Sequence, residues 1–229
     1  MDNIFLLLTI TFAVYYGASI IRKKTGVVFL NPILITIAVM ICYLKLFDIS
    51  FETYNEGGKY IEFWLKPAIV ALGVPLYKHL DSIKRYFIPI FLSQLAGCIA
   101  GIVSVIVIAD LMGATNDVII SLAPKSVTTP IAIEISSTLG GIQSLTAAVV
   151  VCVGILGAVI GYKTMAVVKL RDDISKGLAI GTASHAVGTA AAMEVSHIHG
   201  VYATLGLIIN GILTSIFAPI ILQLMGYLG

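Results

Sequence analysis

Two clusters of polar side chains interrupt long apolar stretches of this chain, and their types suit the capture of a small anion. Lys125, Ser126, Thr128 and Thr129 form the first; Ser184, His185 and Thr189 form the second. The run Ser126-Val127-Thr128-Thr129-Pro130 reads as a helix start, because a hydroxyl residue serves as cap and proline suits the first turn. Such a start leaves backbone N–H groups unpaired at the positive end of the helix dipole, which favours an anion. Hydroxyls and N–H donors together suit a carboxylate, with Lys125 or His185 balancing its charge. Glu134 and Glu194 lie five residues beyond Thr129 and Thr189. A carboxylate held in low dielectric takes up a proton readily, which would give proton coupling. The plainer readings are hydroxyls that only satisfy helix ends, and glutamates that tie one helix to its neighbour or pair with Lys125 or His185.

The two clusters are related by a fixed offset of sixty positions. Ala123, Val127, Thr129, Ala132, Glu134, Ser136 and Gly140 fall on Ala183, Val187, Thr189, Ala192, Glu194, Ser196 and Gly200 without a gap. Polar groups and helix breakers inside apolar sequence mark a pathway or binding site, and a matched pair suggests a transporter built from two halves around one site.

The elements that must hold these groups are membrane helices. Mean hydropathy is +1.03, and 11% of residues are charged against about 25% in a soluble domain, so the chain reads as an integral membrane protein. Six full spans are expected, at about 3–21, 28–47, 62–77, 86–110, 142–163 and 201–227, with the polar stretch from Asp48 to Glu62 as a loop. The start Met1-Asp2-Asn3 lacks a basic segment, and Arg22-Lys23-Lys24 follows the first apolar run, so that run reads as a retained span rather than a cleaved signal. Asn31 reads as the cap of span two and His79 as part of a solvated basic loop.

Orientation follows from lysine and arginine. Arg22–Lys24, Lys78–Arg85 and Lys163–Lys176 are placed in the cytoplasm, with both termini outside. The charges are then satisfied if 118–141 dips into the membrane and returns to its own face, and if 177–200 does the same from the opposite face. From Val118 to Pro124 is about 10 Å of helix and from Pro130 to Leu139 about 15 Å, so each arm reaches about half of a 30 Å hydrocarbon core. The fold class expected is therefore an all-α polytopic membrane protein, with about six spans and two oppositely facing re-entrant hairpins forming an inverted repeat, comparable with elevator transporters. A broken helix that crosses is the alternative. The chain reads as a single membrane domain over 1–229, with scaffold-like spans in 1–113 and the transport core in 114–229 (118–163 and 177–227).

Other groups point less far. Gly154, Gly157 and Gly161 with Ala158 make a small-residue face that suits close helix packing. Gln94 and Asn210 lie inside apolar spans, where each either faces the pathway or bridges helices. His197 and His199 lack further ligands at metal-binding spacing and read as interfacial; no metal and no cofactor is expected. Cys42, Cys98 and Cys152 read as small packing residues. No hydrolase elbow or phosphate loop is present, so an enzyme is not expected. The net charge of +2 gives no reason to expect nucleic acid.

The strings SLAPKSVTTPIAIEIS and IGTASHAVGTAAAMEVS, the latter followed by HGVYATLGLIINGILT, resemble the two signature regions of the LrgB/CidB family. NPILITI and KPAIVALGVPLYKHL extend the resemblance over nearly the whole chain. The resemblance implies a bacterial inner-membrane protein working beside a small holin-like partner of the LrgA/CidA type. It also implies either modulation of murein hydrolase export and autolysis or transport of small carboxylates such as pyruvate, glycolate and glycerate. Together with the residues above it gives the expectation of a proton-coupled carrier for small monocarboxylates, acting as a homodimer. The rival is a non-transporting regulator of a holin-like pore.

Overall fold

The structure is a computed structural model that describes residues 4–25, 30, 32–71, 73–78 and 80–228. Asn31 and His79, and with them the cap and loop roles read above, lie outside the described residues, as do Met1–Asn3 and Gly229. Every regular element among the described residues is helical: α1 (Ile4–Thr25), α2 (Pro32–Leu46), α3 (Phe51–Ala71), α4 (Gly73–Lys78), α5 (Leu80–Arg85), α6 (Phe87–Leu111), α7 (Asn116–Leu122), α8 (Thr129–Thr138), α9 (Gln143–Val167), α10 (Asp173–Val195) and α11 (His197–Leu224).

Four of these, α1, α6, α9 and α11, are long and apolar enough to cross a membrane. Six spans are expected from the sequence; of the remaining two, the described part of 28–47 is the shorter apolar helix α2, and 62–77 falls in α3 and α4. Helix α3 begins at Phe51, inside the stretch expected to be a loop, and carries Glu52, Glu56 and Lys59. It is helical there because one side packs on α1: Gly57 sits against Ile4 and Leu8, and the Tyr54 hydroxyl lies 3.2 Å from Thr11 Oγ1. The charged residues occupy its exposed side, a tertiary reason that a hydropathy reading of 48–62 does not contain.

The chain forms two compact units, Met1–Val74 and Pro75–Gly229. The first holds α1, α2 and α3. In the second, α6 belongs with the polar clusters rather than with the N-terminal helices: its Cys98, Ile102, Ile106 and Ala109 share a core with Ile119, Ile120 and Ala123 from α7 and its end, and with Leu213, Ala218, Ile221 and Leu222 of α11. Helices α10 and α11 approach backbone to backbone. A Cβ on Gly206 would lie 2.7 Å from the Leu178 carbonyl, and one on Gly181 would collide with the carbonyl of Ala203, so only glycine fits either position.

Candidate functional site

Both polar stretches are helix–break–helix units that fold back on themselves. In the first, α7 and α8 flank a break at 123–128. The amide of Ile142 donates to Ser121 Oγ at 2.7 Å, and Thr146 of α9 donates to Ser136 Oγ at 2.8 Å, so the end of α8 lies beside α7. In the second, α10 breaks at His185, whose φ of 42° and ψ of −137° is a conformation normally left to glycine. Unbroken, its 23 residues would extend about 34 Å. Instead His199, beyond its end, places Nε2 3.1 Å from Oδ1 of Asp173 at its start.

Helix α9 receives the second break. His185 Nε2 lies 2.8 Å from the Val150 carbonyl; a carbonyl only accepts, so this nitrogen carries the proton. A Cβ on Gly154 would fall 2.6 Å from His185 Cε1, and one on Gly157 would overlap Ser184 Oγ. Gly161 makes the same room for Ile180. Val127 of the first break shares a buried cluster with Val150, whose carbonyl meets His185, so α9 borders both breaks at this level.

Beside the breaks lies a cavity of about 440 Å³, walled by α6, the first break, the first half of α10 and α11. Its polar lining includes Gln94, Lys125, Ser126, Ser175, Thr182 and Asn210, and among the described residues lining it Lys125 alone is charged. The Lys125 ammonium donates to the Gly101 carbonyl and to Ser126 Oγ, each at 3.2 Å. Both partners are neutral oxygens, so no carboxylate among the described lining residues pairs with the ammonium. Thr182 donates to Gln94 Oε1 across the wall, and the Asn210 amide donates to the carbonyls of Ser126 and Thr182, each at 3.1 Å.

The sequence-derived residues thus separate. Lys125 and Ser126 line the cavity. Thr128 is the N-cap of α8 and Thr129 its first residue, but the Thr128 hydroxyl makes no capping bond, against the expectation. Ser184 and His185 are buried against α9 rather than lining the cavity. Thr189 is no helix start: the second half of α10 begins directly after His185, so Thr189 is already a turn inside and its hydroxyl donates back to the His185 carbonyl at 2.8 Å. Glu134 lines a different groove, with Ile131, Thr138 and Ser215, and Glu194 is exposed near the end of α10. Gln94, Thr182 and Asn210 enter the site instead. Their signal in the sequence is polarity inside apolar helices.

The LrgB-like family model matches residues 11–224. The chain belongs to the LrgB-like family. Among its relatives, the antiholin-like protein LrgB of Bacillus subtilis (strain 168) is 33% identical over 210 residues, covering 92% of this chain and 91% of that one. The holin-like protein CidB of Staphylococcus aureus (strain N315) is 34% identical over 219 residues, covering 96% of each. The uncharacterized protein YxaC of Bacillus subtilis (strain 168) is 34% identical over 219 residues, covering 96% of this chain and 95% of that one. No solved structure matches. As an LrgB-like protein with four helices long and apolar enough to span, the chain is a multi-pass membrane protein, and its strings at 121–136 and 180–196 contain the two breaks beside the cavity.

Proposed function

We propose that this LrgB-like chain is a carrier that binds a small monocarboxylate anion, of the pyruvate, lactate or glycolate kind, in the cavity beside the two breaks. The observation that carries this reading is Lys125, a cation in an otherwise uncharged cavity with only neutral oxygens as partners. Its ammonium would take the carboxylate, with Ser126, Gln94 and Thr182 around it. The folded-back breaks support a re-entrant placement of both, as an inverted repeat with the Lys163–Lys176 loop in the cytoplasm. Glu134 and Glu194 lie outside the cavity wall, so any proton coupling through them would act away from the anion. The test is uptake of labelled pyruvate into proteoliposomes holding this chain, with and without an inward proton gradient. Saturable uptake lost in Lys125→Met supports the carrier; uptake unchanged in that variant removes the cavity as its site.

A second reading has its own support, and the relatives' names fit it better than transport: one is named antiholin-like and another holin-like. On this reading the chain regulates a holin-like pore, and through it autolysis, without moving a substrate. Absence of uptake for pyruvate, lactate and glycolate, alone and with a small holin-like partner, together with altered leak through that partner's pores, would favour it.

A further inference from the structure

Asn210 stands at the middle of α11, in the wall of the cavity, and is 1% exposed. Its side-chain nitrogen donates to two backbone carbonyls that belong to different breaks: Ser126 in the first, 84 residues away, and Thr182 in the second, 28 residues away. The orientation of the amide is fixed by these partners, because a carbonyl only accepts and two carbonyls leave no role for the amide oxygen on that side. Ser126 lies in non-helical backbone, and Thr182 lies in the last turn before His185, where a helix end leaves carbonyls without an i+4 partner. Inside a membrane such carbonyls must find donors within the protein. Asn210 has two amide hydrogens and spends one on each.

We infer that Asn210 is a positioning residue that fixes the first break relative to the second, so that the two walls of the cavity move as one piece. Separating them would unpair a buried N–H and a buried carbonyl at once. A second observation points to the same level of the fold. Val150, sixty positions before Asn210, also lies at both breaks, sharing a buried cluster with Val127 and holding His185 on its carbonyl. Asn210 Oδ1 is itself buried and has no protein partner. The side chain therefore acts through its two donors and not through a balanced set of bonds. That the tie sets the width of an anion site rests on the proposed function; that it holds the breaks together does not.

The experiment separates the two. Spin labels on cysteines at Ser137 of α8 and Ala190 of α10, both exposed, report the distance between the breaks in protein whose Cys42, Cys98 and Cys152 are replaced. Asn210→Leu and Asn210→Ala both remove the donors, the second without added bulk, so one remains if the other fails to fold. The expected result is a distance distribution that broadens or shifts in both, while Asn210→Gln, which keeps the donors, stays nearer the parent. A parent-like distribution in a folded Asn210→Ala or Asn210→Leu protein overturns the inference. With pyruvate uptake as the second readout, Asn210→Ala is expected to raise the half-saturating concentration about tenfold, as for the loss of about one buried hydrogen bond. A changed distance without any uptake in the parent keeps the tie and rejects the carrier.

Discussion

His199 Nε2 lies 3.1 Å from Asp173 Oδ1, although the whole of α10 stands between them in the chain. The contact joins the start of α10 to the start of α11. It is extended by Tyr162 of α9, whose hydroxyl is 3.1 Å from His199 Nδ1 with the two rings stacked, and by Lys176, which bonds the same Asp173 oxygen at 2.9 Å. Three helices are thereby closed at the foot of the second fold-back.

The hydrogen bond from Lys176, followed by that from His199, holds the Asp173 carboxyl below the usual carboxylate range. A depressed carboxyl contributes stability that is present above its unfolded value, near 3.9, and is lost as pH falls through the folded one. Parent protein is therefore expected to melt above Asp173→Asn at neutral pH. The gap should close only as pH drops below the carboxylate range. Thermal unfolding in detergent across that window checks it, and a gap unchanged at low pH would show that the carboxylate charge is not what holds the contact.

Gly157→Ala is expected to destabilise by about 1–3 kcal/mol, the usual cost of forcing an extra carbon into a packed contact. Its Cβ would overlap Ser184 Oγ. Adding Ser184→Gly removes the obstructing atom and should restore much of the loss, a coupling that a double-mutant cycle in melting temperature measures.

Thr182→Val is expected to impair pyruvate uptake more than Thr189→Val. Both hydroxyls bond back to a carbonyl of their own helix, but Thr182 also lines the cavity and meets Gln94, whereas Thr189 does not line it. Equal losses in the two variants, at equal amounts of inserted protein, would count against the cavity.

Cysteines introduced at Lys169 and Glu56, both exposed, are expected to label from opposite sides of the membrane, Lys169 from the cytoplasm. Labelling from one side would reject the re-entrant arrangement drawn from lysine and arginine placement.

Much of this arrangement is legible before any coordinates. The apolar runs at 86–110, 142–163 and 201–227 correspond to α6, α9 and α11, and Pro130 with its preceding hydroxyls marks the start of α8 to within a residue. The register inside the second unit is not legible. The offset of sixty aligns residue types, but the first break occupies several residues and the second is made by His185 alone, so Thr129 opens a helix while Thr189 lies within one. Asn210 escapes for another reason. Its partners are distant in sequence, and a polar side chain amid apolar neighbours looks the same whether it bridges helices or faces a pathway. The polar half of α3 is hidden because its packing on α1 depends on Gly57 and Tyr54, not on any apolar stripe.

The glycines of α9 have a consequence for how relatives diverge. Gly154, Gly157 and Gly161 leave room for side chains of α10: His185 with Val187 at the first, Ser184 at the second and Ile180 at the third. The two segments are thus locked in complementary size, residue against residue. In aligned homologues a methyl gained at 157 should appear together with a smaller residue at 184, and a larger group at 185 only where 154 stays bare. These pairs should drift together through evolution, while the outward positions of the same helices change independently.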